Sequence, residues 1–441
     1  GEEKKTITSF FKNILGRSAE DDPTDMWSSS LRALRKYNFM RVLNQVGIAQ
    51  LPEFGVVTAQ QGFLTLVQEM PHFKRLLVKA QKGELDDTFF EDMATVLSTN
   101  GTEHISRGIT NYEIEDMGAT AVGKMHDAGR GKIWKYSNLG ERATGHVSGL
   151  FFIDSLERRL AMRLFVNRMA KDLIDVAEGG KALHKLKGRL NRYRAIGFTD
   201  EELLAIGREF SSKNVTTQRT AFGRRVLHSN FSNWADQDLA YTFGRRVNRY
   251  VQRAVQYNYL GDTNRFFSDK ALGKSLGQFR SFIMTAWSKQ FLHNLALADM
   301  QTATTFLYTT MIGGLAYIGQ TNMNAIGMDK VTKKKYFRKK FGNYKSGDYS
   351  KFAMASFQRS GWSSLIPPLS DFALSALSPD NRFNFRSSGL EMNLWTGNPT
   401  YDVLGGIGKT AHALLKTTRN DYRWSRTDMN RMMRLLPFQN M

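Results

Sequence analysis

The sequence contains no cysteine. That excludes disulfides, thiolate metal centres and a thiol nucleophile. The absence identifies no compartment, and it fits a chain that crosses compartments or passes unfolded through a narrow channel without cross-linking. Proline is scarce, 8 in 441 residues, which excludes Pro-rich linkers, while 37 glycines fit helices ended by glycine stops. Strand signals are few: only Gly55-Val56-Val57 and Gly131-Lys132-Ile133-Trp134-Lys135-Tyr136 read as extended, the latter pair of ends suited to a small hairpin. The opening Gly1-Glu2-Glu3-Lys4-Lys5 has neither an initiator methionine nor a signal peptide, so a fragment or processed piece is expected.

Catalytic signatures are missing as well. There is no His-Glu-x-x-His zinc motif, no Gly-x-Ser-x-Gly elbow and no Glu-Ser pair of the kind cell-wall transglycosylases carry. His104, His126 and His146 could converge from the Gly-rich region, but scattered surface histidines are the better account, and Glu113, Glu115 and Asp116 read as a solvated acidic loop. Gly405-Gly406-Ile407-Gly408-Lys409-Thr410 imitates a phosphate-binding loop. The further glycine that loop needs is replaced by Val403, so a glycine-rich helix junction is the better account. No cofactor and no metal are expected, and no catalytic residue is assigned.

What the chain does have is charge. Its 62 Lys and Arg exceed 41 Asp and Glu, and residues 1–100 are nearly neutral, so the excess belongs to residues 101–441. A basic body of this size attracts nucleic acid, anionic lipid or an acidic partner. With 41% hydrophobic and 12% aromatic residues it can still build packed cores, which excludes global disorder.

Helical spacing dominates. Asp25 can cap a helix carrying Leu31, Leu34, Val42 and Val46; Pro71 divides the next apolar stretch in two; Asp86-Asp87 opens a helix that stops at Asn100-Gly101. A long helix is expected over 147–178, ending at Gly179-Gly180. Thr199 with Glu202 forms a capping box. Further helices are expected at 234–260, 271–299, 302–319, 353–376, 402–417 and 427–436. The expected fold class is all-α, an elongated multi-helix assembly with at most a small β-hairpin. It divides into an N-terminal helical unit (1–107), a Gly-rich connector (108–146), a basic long-helix domain (147–300), a membrane-like helix with a polybasic run (301–345) and a C-terminal helical region (346–441).

Two surfaces stand out as binding candidates. From Gln301 to Met328 no residue is charged, and Phe306, Leu307, Ile312, Leu315 and Ile318 form an apolar heart too short and too mixed with Thr and Gly for an ordinary bilayer span. Lys333, Lys334, Lys335, Arg338, Lys339 and Lys340 follow at once, with Lys330 and Lys345 at the ends of the run. A buried core helix, a conditionally inserting helix and an interfacial helix all fit this pattern, with the cations on anionic head groups in the last two. The second surface is Arg224 and Arg225, then Arg245, Arg246, Arg249 and Arg253, interleaved with Tyr250 and Tyr257. Cations with aromatics suit sequence-independent binding of DNA. Phe222-Gly223-Arg224-Arg225-Val226 recurs as Phe243-Gly244-Arg245-Arg246-Val247, and on one continuous helix the two basic turns would point the same way. Asn230 to Asn233 argue against that continuity.

From residue 190 the order of motifs becomes familiar: Ala195-Ile196-Gly197-Phe198-Thr199-Asp200-Glu201-Glu202, Asn233-Trp234-Ala235-Asp236, Tyr259-Leu260-Gly261-Asp262, Leu276-Gly277-Gln278-Phe279-Arg280-Ser281-Phe282 with Lys289-Gln290, and Gly397-Asn398-Pro399-Thr400-Tyr401-Asp402. The order resembles the C-terminal part of the large internal virion proteins, or DNA-ejection proteins, of short-tailed bacteriophages. The resemblance implies a structural protein of the virion core near the portal, ejected into the host envelope to help form a conduit for genome DNA. It implies other internal virion proteins, the portal, genome DNA and host anionic lipid as partners, and homo-oligomers. The transglycosylase domain that some such proteins carry is not matched. A non-specific nucleic-acid-binding scaffold is the alternative, and a cryptic nuclease or cell-wall-cleaving enzyme a third reading.

Overall fold

The computed structural model describes residues 25–42, 51–81, 150–220, 223–255, 270–277, 281–342, 349–363, 399–420 and 425–433, with shorter pieces beside these. The expected connector 108–146 with its hairpin, the helix over 86–100, the three histidines and the acidic loop lie outside the described residues.

The described fold is all-α with one two-stranded hairpin. Its helices are α1 (Met26–Val42), α2 (Pro52–Gln61), α3 (Phe63–Gln81), α4 (Leu150–Ala177), α5 (Gly188–Ala195), α6 (Asp200–Ser211), α7 (Gln237–Ala254), α8 (Ala271–Gly277), α9 (Ser281–Ala286), α10 (His293–Leu297), α11 (Met300–Met323), α12 (Lys330–Phe341), α13 (Ser350–Arg359), α14 (Pro399–Asn420) and α15 (Arg426–Met433). Strands β1 (Thr216–Thr220) and β2 (Gly223–His228) pair antiparallel between α6 and α7.

α4 is the axis of the core. Leu156, Leu160, Leu164, Phe165, Met169 and Leu173 are all buried on it, and α2, α3, α6, α7 and β2 pack around it. Because neighbours surround α4, its polar residues are buried too and need partners. Arg158 makes a bidentate pair with Asp154 one turn earlier, at 2.9 and 3.1 Å. Asn167 donates to Glu69 Oε1 at 2.9 Å and accepts from the Val226 backbone N–H at 2.8 Å, fastening both α3 and β2 to α4.

The local signals in 190–254 hold. Thr199 Oγ1 accepts from Glu202 N at 3.2 Å while the Glu202 carboxylate accepts from Thr199 N at 2.8 Å, a complete capping box. Gly207 lets α6 approach α4 so closely that a Cβ would lie 2.8 Å from Leu173 O. Phe210, Phe231, Trp234 and Phe243 then close an aromatic cluster, Phe210 meeting both Trp234 and Phe243 edge-on.

Several expectations are corrected. Gly55-Val56-Val57 are helical in α2, not extended: Pro52 opens the helix, and Val56 and Val57 are buried within it. Pro71 does not divide its stretch but sits inside α3, where it is exposed. The hairpin uses 216–228, so Arg224 and Arg225 lie on β2 and not on a helix continuous with α7. Within the expected helix 271–299, α8 and the run from α9 through a π turn at Trp287–Leu292 into α10 are helical, the run ending at Ala298 with φ 42°, and residues 278–280 lie outside the described residues. Gly405 to Thr410 lie inside α14, where backbone amides serve the helix and cannot wrap a phosphate.

Candidate functional site

α11 is assembled inside out. Its small and polar side buries Thr305, Thr309, Gly313, Gly314, Ala316, Tyr317, Gln320 and Thr321. The threonine hydroxyls are satisfied within the helix, Thr305 donating to Gln301 O at 2.6 Å and Thr309 to Thr305 O at 2.7 Å. The glycines bring two helices against it. Gly55 of α2 meets Thr309, where a Cβ would come within 2.9 Å of the Thr309 Cα, and Gly313 meets the Ser356 carbonyl of α13 at an equivalent 2.7 Å. These contacts use up the small side of α11, so the large apolar side chains face outward.

Of the five apolar candidates, Leu307, Leu315 and Ile318 are exposed, Leu315 at 66%. Phe306 is exposed as well, though its ring packs near Phe357 and edge-on to Trp362, and Ile312 is half-buried. Met300 and Met311, which the sequence reading passed over, extend the stripe: 300, 307, 311, 315 and 318 step along one helical side. That spacing was present in the sequence as a signal for one apolar face. Exposure continues at Met323, the last residue of the helix, and beyond it at Ile326 and Val331. Apolar surface of this kind is a candidate interaction face. Among the described residues, no helix is long and apolar enough to cross a membrane.

α12 carries the polybasic run directly after this stripe. Asp329 caps it by accepting from Val331 N and Thr332 N at 3.0 Å, and the Thr332 side chain first, then these backbone bonds, hold its carboxyl below the usual range. Lys334, Lys335, Arg338 and Lys339 are exposed; Lys333 and Lys340 are half-buried over the rings of Phe337 and Tyr336. Burial, with Arg359 and Lys339 nearby, pushes the Lys340 ammonium down. The helix is tied back to α11 by Tyr317, whose hydroxyl donates to Lys340 O at 3.0 Å and whose ring meets Phe341 edge-on. The apolar stripe and the cations are therefore held in one unit. Lys345 lies outside the described residues.

The arginine set does not come together as expected. Arg225 is buried and pairs with Glu69 at 2.8 Å, so it holds the core and is not available to phosphates. Arg224 lies opposite Arg219 in the hairpin register. On α7, Arg246 covers Phe198 and reaches Glu202 at 3.6 Å, while Arg253 donates to Ala195 O at 3.0 Å. Only Arg245 and Arg249 of this set point outward from α7, one turn apart. Tyr250 is buried against Phe165, and Tyr257 lies outside the described residues.

Among the described residues, no group of three or more His, Cys, Asp or Glu could hold a metal ion. No known protein family, curated protein or solved structure matches the chain.

Proposed function

We propose that this chain is a structural, non-catalytic protein that binds anionic membrane surface through the outward stripe of α11 and the cations of α12. Its setting, by the resemblance in motif order, is that of an internal virion protein of a short-tailed phage, ejected into the host envelope to help conduct genome DNA. The observation that carries the membrane part is the reversed burial of α11. Threonines and glycines are packed inside while Leu307, Met311 and Leu315 face out beside a helix of seven cations with no acidic residue in it. An apolar face of this kind beside a cationic helix suits shallow insertion with lysines at the head groups. Binding flat in the interface needs no span across the bilayer.

The test is flotation of the full chain with vesicles of neutral phosphatidylcholine alone and with added phosphatidylglycerol. Binding is expected only with the anionic lipid, weakened by salt and by Lys334→Ser with Lys335→Ser and Lys339→Ser. Equal binding to neutral vesicles, or none to either, overturns the reading.

A second surface, DNA along α7, retains support from Arg245 and Arg249, exposed and four residues apart. Two phosphate contacts predict a salt slope near −2 on a logarithmic plot for duplex DNA, about −0.9 per phosphate.

A further inference from the structure

The outward stripe of α11 is not chemically uniform. Leu307, Leu315 and Ile318 are hydrocarbon, but Met300 and Met311 bring sulfur to it, and they are 79% and 58% exposed. Met311 follows Met300 by eleven residues. On an α-helix that is three turns and about 20° of rotation, so both side chains leave the same side, roughly 16 Å apart along the axis. A thioether sulfur carries a lone pair that attacks a peroxide, whereas leucine and isoleucine offer a peroxide nothing. The chain has no cysteine, so no thiol of its own consumes the oxidant first.

Exposure decides which methionines react. Met162 and Met169 of α4 are fully buried in the core, out of a peroxide's reach while the fold holds. Met26 on α1, Met70 on α3, and Met429 and Met433 on α15 are exposed, but they lie outside the stripe. Met323 ends α11 about a third of a turn round from Met311. Peroxide therefore reaches Met300 and Met311 without entering the core, and the other exposed methionines serve as internal controls.

We propose that Met300 and Met311 form a reversible oxidation site that switches the membrane face off. The proposal rests on the reading of α11 and α12 as a membrane surface. The reaction transfers one oxygen atom. The sulfur lone pair attacks hydrogen peroxide, a new S–O bond forms, the O–O bond breaks, and the products are a sulfoxide and water. Sulfur gives up two electrons and the peroxide takes the same two. Each sulfoxide oxygen accepts hydrogen bonds from water, and a hydrocarbon layer holds no donor to replace that water on insertion. The cations of α12 are untouched, so attraction to anionic head groups persists while the apolar anchor is lost. Sulfoxide reductases drawing on a dithiol return the thioether, with a disulfide and water as products.

The experiment treats the full chain with hydrogen peroxide and maps the added oxygens by peptide mass spectrometry. Flotation then follows with vesicles of phosphatidylcholine and phosphatidylglycerol. Once Met300 and Met311 are oxidised, binding should weaken about tenfold or more with no fall in Tm. The two sulfoxide reductases, one for each epimer, should restore it with dithiothreitol. Met300→Leu with Met311→Leu should keep whatever affinity it starts with through the same treatment, although Met26, Met70, Met323, Met429 and Met433 still gain oxygen. Met300→Gln with Met311→Gln should show the loss without peroxide. Full binding after both residues are oxidised, or a leucine variant that loses as much as the wild type, overturns the switch and leaves the membrane reading standing. Met300 and Met311 unreacted while Met26 oxidises overturns the site in the same way. An untreated chain that ignores anionic vesicles overturns the membrane reading, and the switch falls with it.

Discussion

Glu69 of α3 and Arg163 of α4 meet at 2.6 Å with side chains 1% and 4% exposed. The same carboxylate takes Arg225 from β2 at 2.8 Å and Asn167 at 2.9 Å, so one acidic residue joins three elements of the core. Glu69→Ala leaves two guanidinium groups buried with their carboxylate gone. Removing one partner of a buried pair costs about 3–5 kcal/mol, and urea unfolding should show a loss in that range. A loss under about 1 kcal/mol would mean the arginines find solvent or new partners.

This relationship also shows what the sequence could and could not disclose. Thr199 with Glu202, and the long run from Leu150 to Ala177, are local signals and their helices stand where spacing puts them. Arg225 carries the same Phe-Gly-Arg-Arg-Val motif as Arg246, yet one lies in a buried strand and the other on a helix surface, because Glu69 arrives from far away in sequence. An apolar composition at 301–318 marked α11 as unusual. Which side faced out was decided by Gly55 and Ser356, contacts no local pattern contains.

The α6 cap can be tested by itself. Thr199→Ala removes the bond to Glu202 N and loosens the return bond, at about 1 kcal/mol. Thermal unfolding should show a lowered Tm with no change in helical content by circular dichroism. Thr199→Ser should retain most of the stability.

Two glycines in helices predict opposite signs. At Gly55 a methyl group would meet the backbone of α11, so Gly55→Ala should destabilise by about 1–3 kcal/mol. At Gly405 in α14 nothing lies within 4 Å of a built Cβ, so Gly405→Ala should stabilise by about 0.5–1 kcal/mol. Equilibrium unfolding of the pair decides both signs.

Glu157 sits buried in α4. Burial, with Glu53 and Asp154 beside it, raises its pKa well above the usual carboxylate range against the pull of Arg158. The folded state therefore keeps a proton that the unfolded chain releases. Its contribution to stability is fully present below the ordinary carboxylate pKa and is lost as pH rises through the folded value. Glu157→Gln mimics the protonated form, so it should unfold at nearly the wild-type temperature in acid and above it at neutral pH. A wild-type Tm that gains on the variant as pH rises would reverse the sign and exclude a protonated Glu157.

The reversed burial of α11 separates fold from surface in one substitution. Leu315 is 66% exposed, so Leu315→Asp removes little packing and should leave stability within about 0.5 kcal/mol of wild type. The same change sets a carboxylate in the middle of the outward stripe, where membrane contact would have to desolvate it. Flotation with anionic vesicles should fall sharply while thermal unfolding stays put. Thr309→Asp on the buried side of the same helix should do the reverse in order of cause, unfolding the contact with α2 before any effect on lipid is felt. A core helix with incidental exposure predicts no loss of vesicle binding in Leu315→Asp, and an interfacial helix predicts that loss without unfolding.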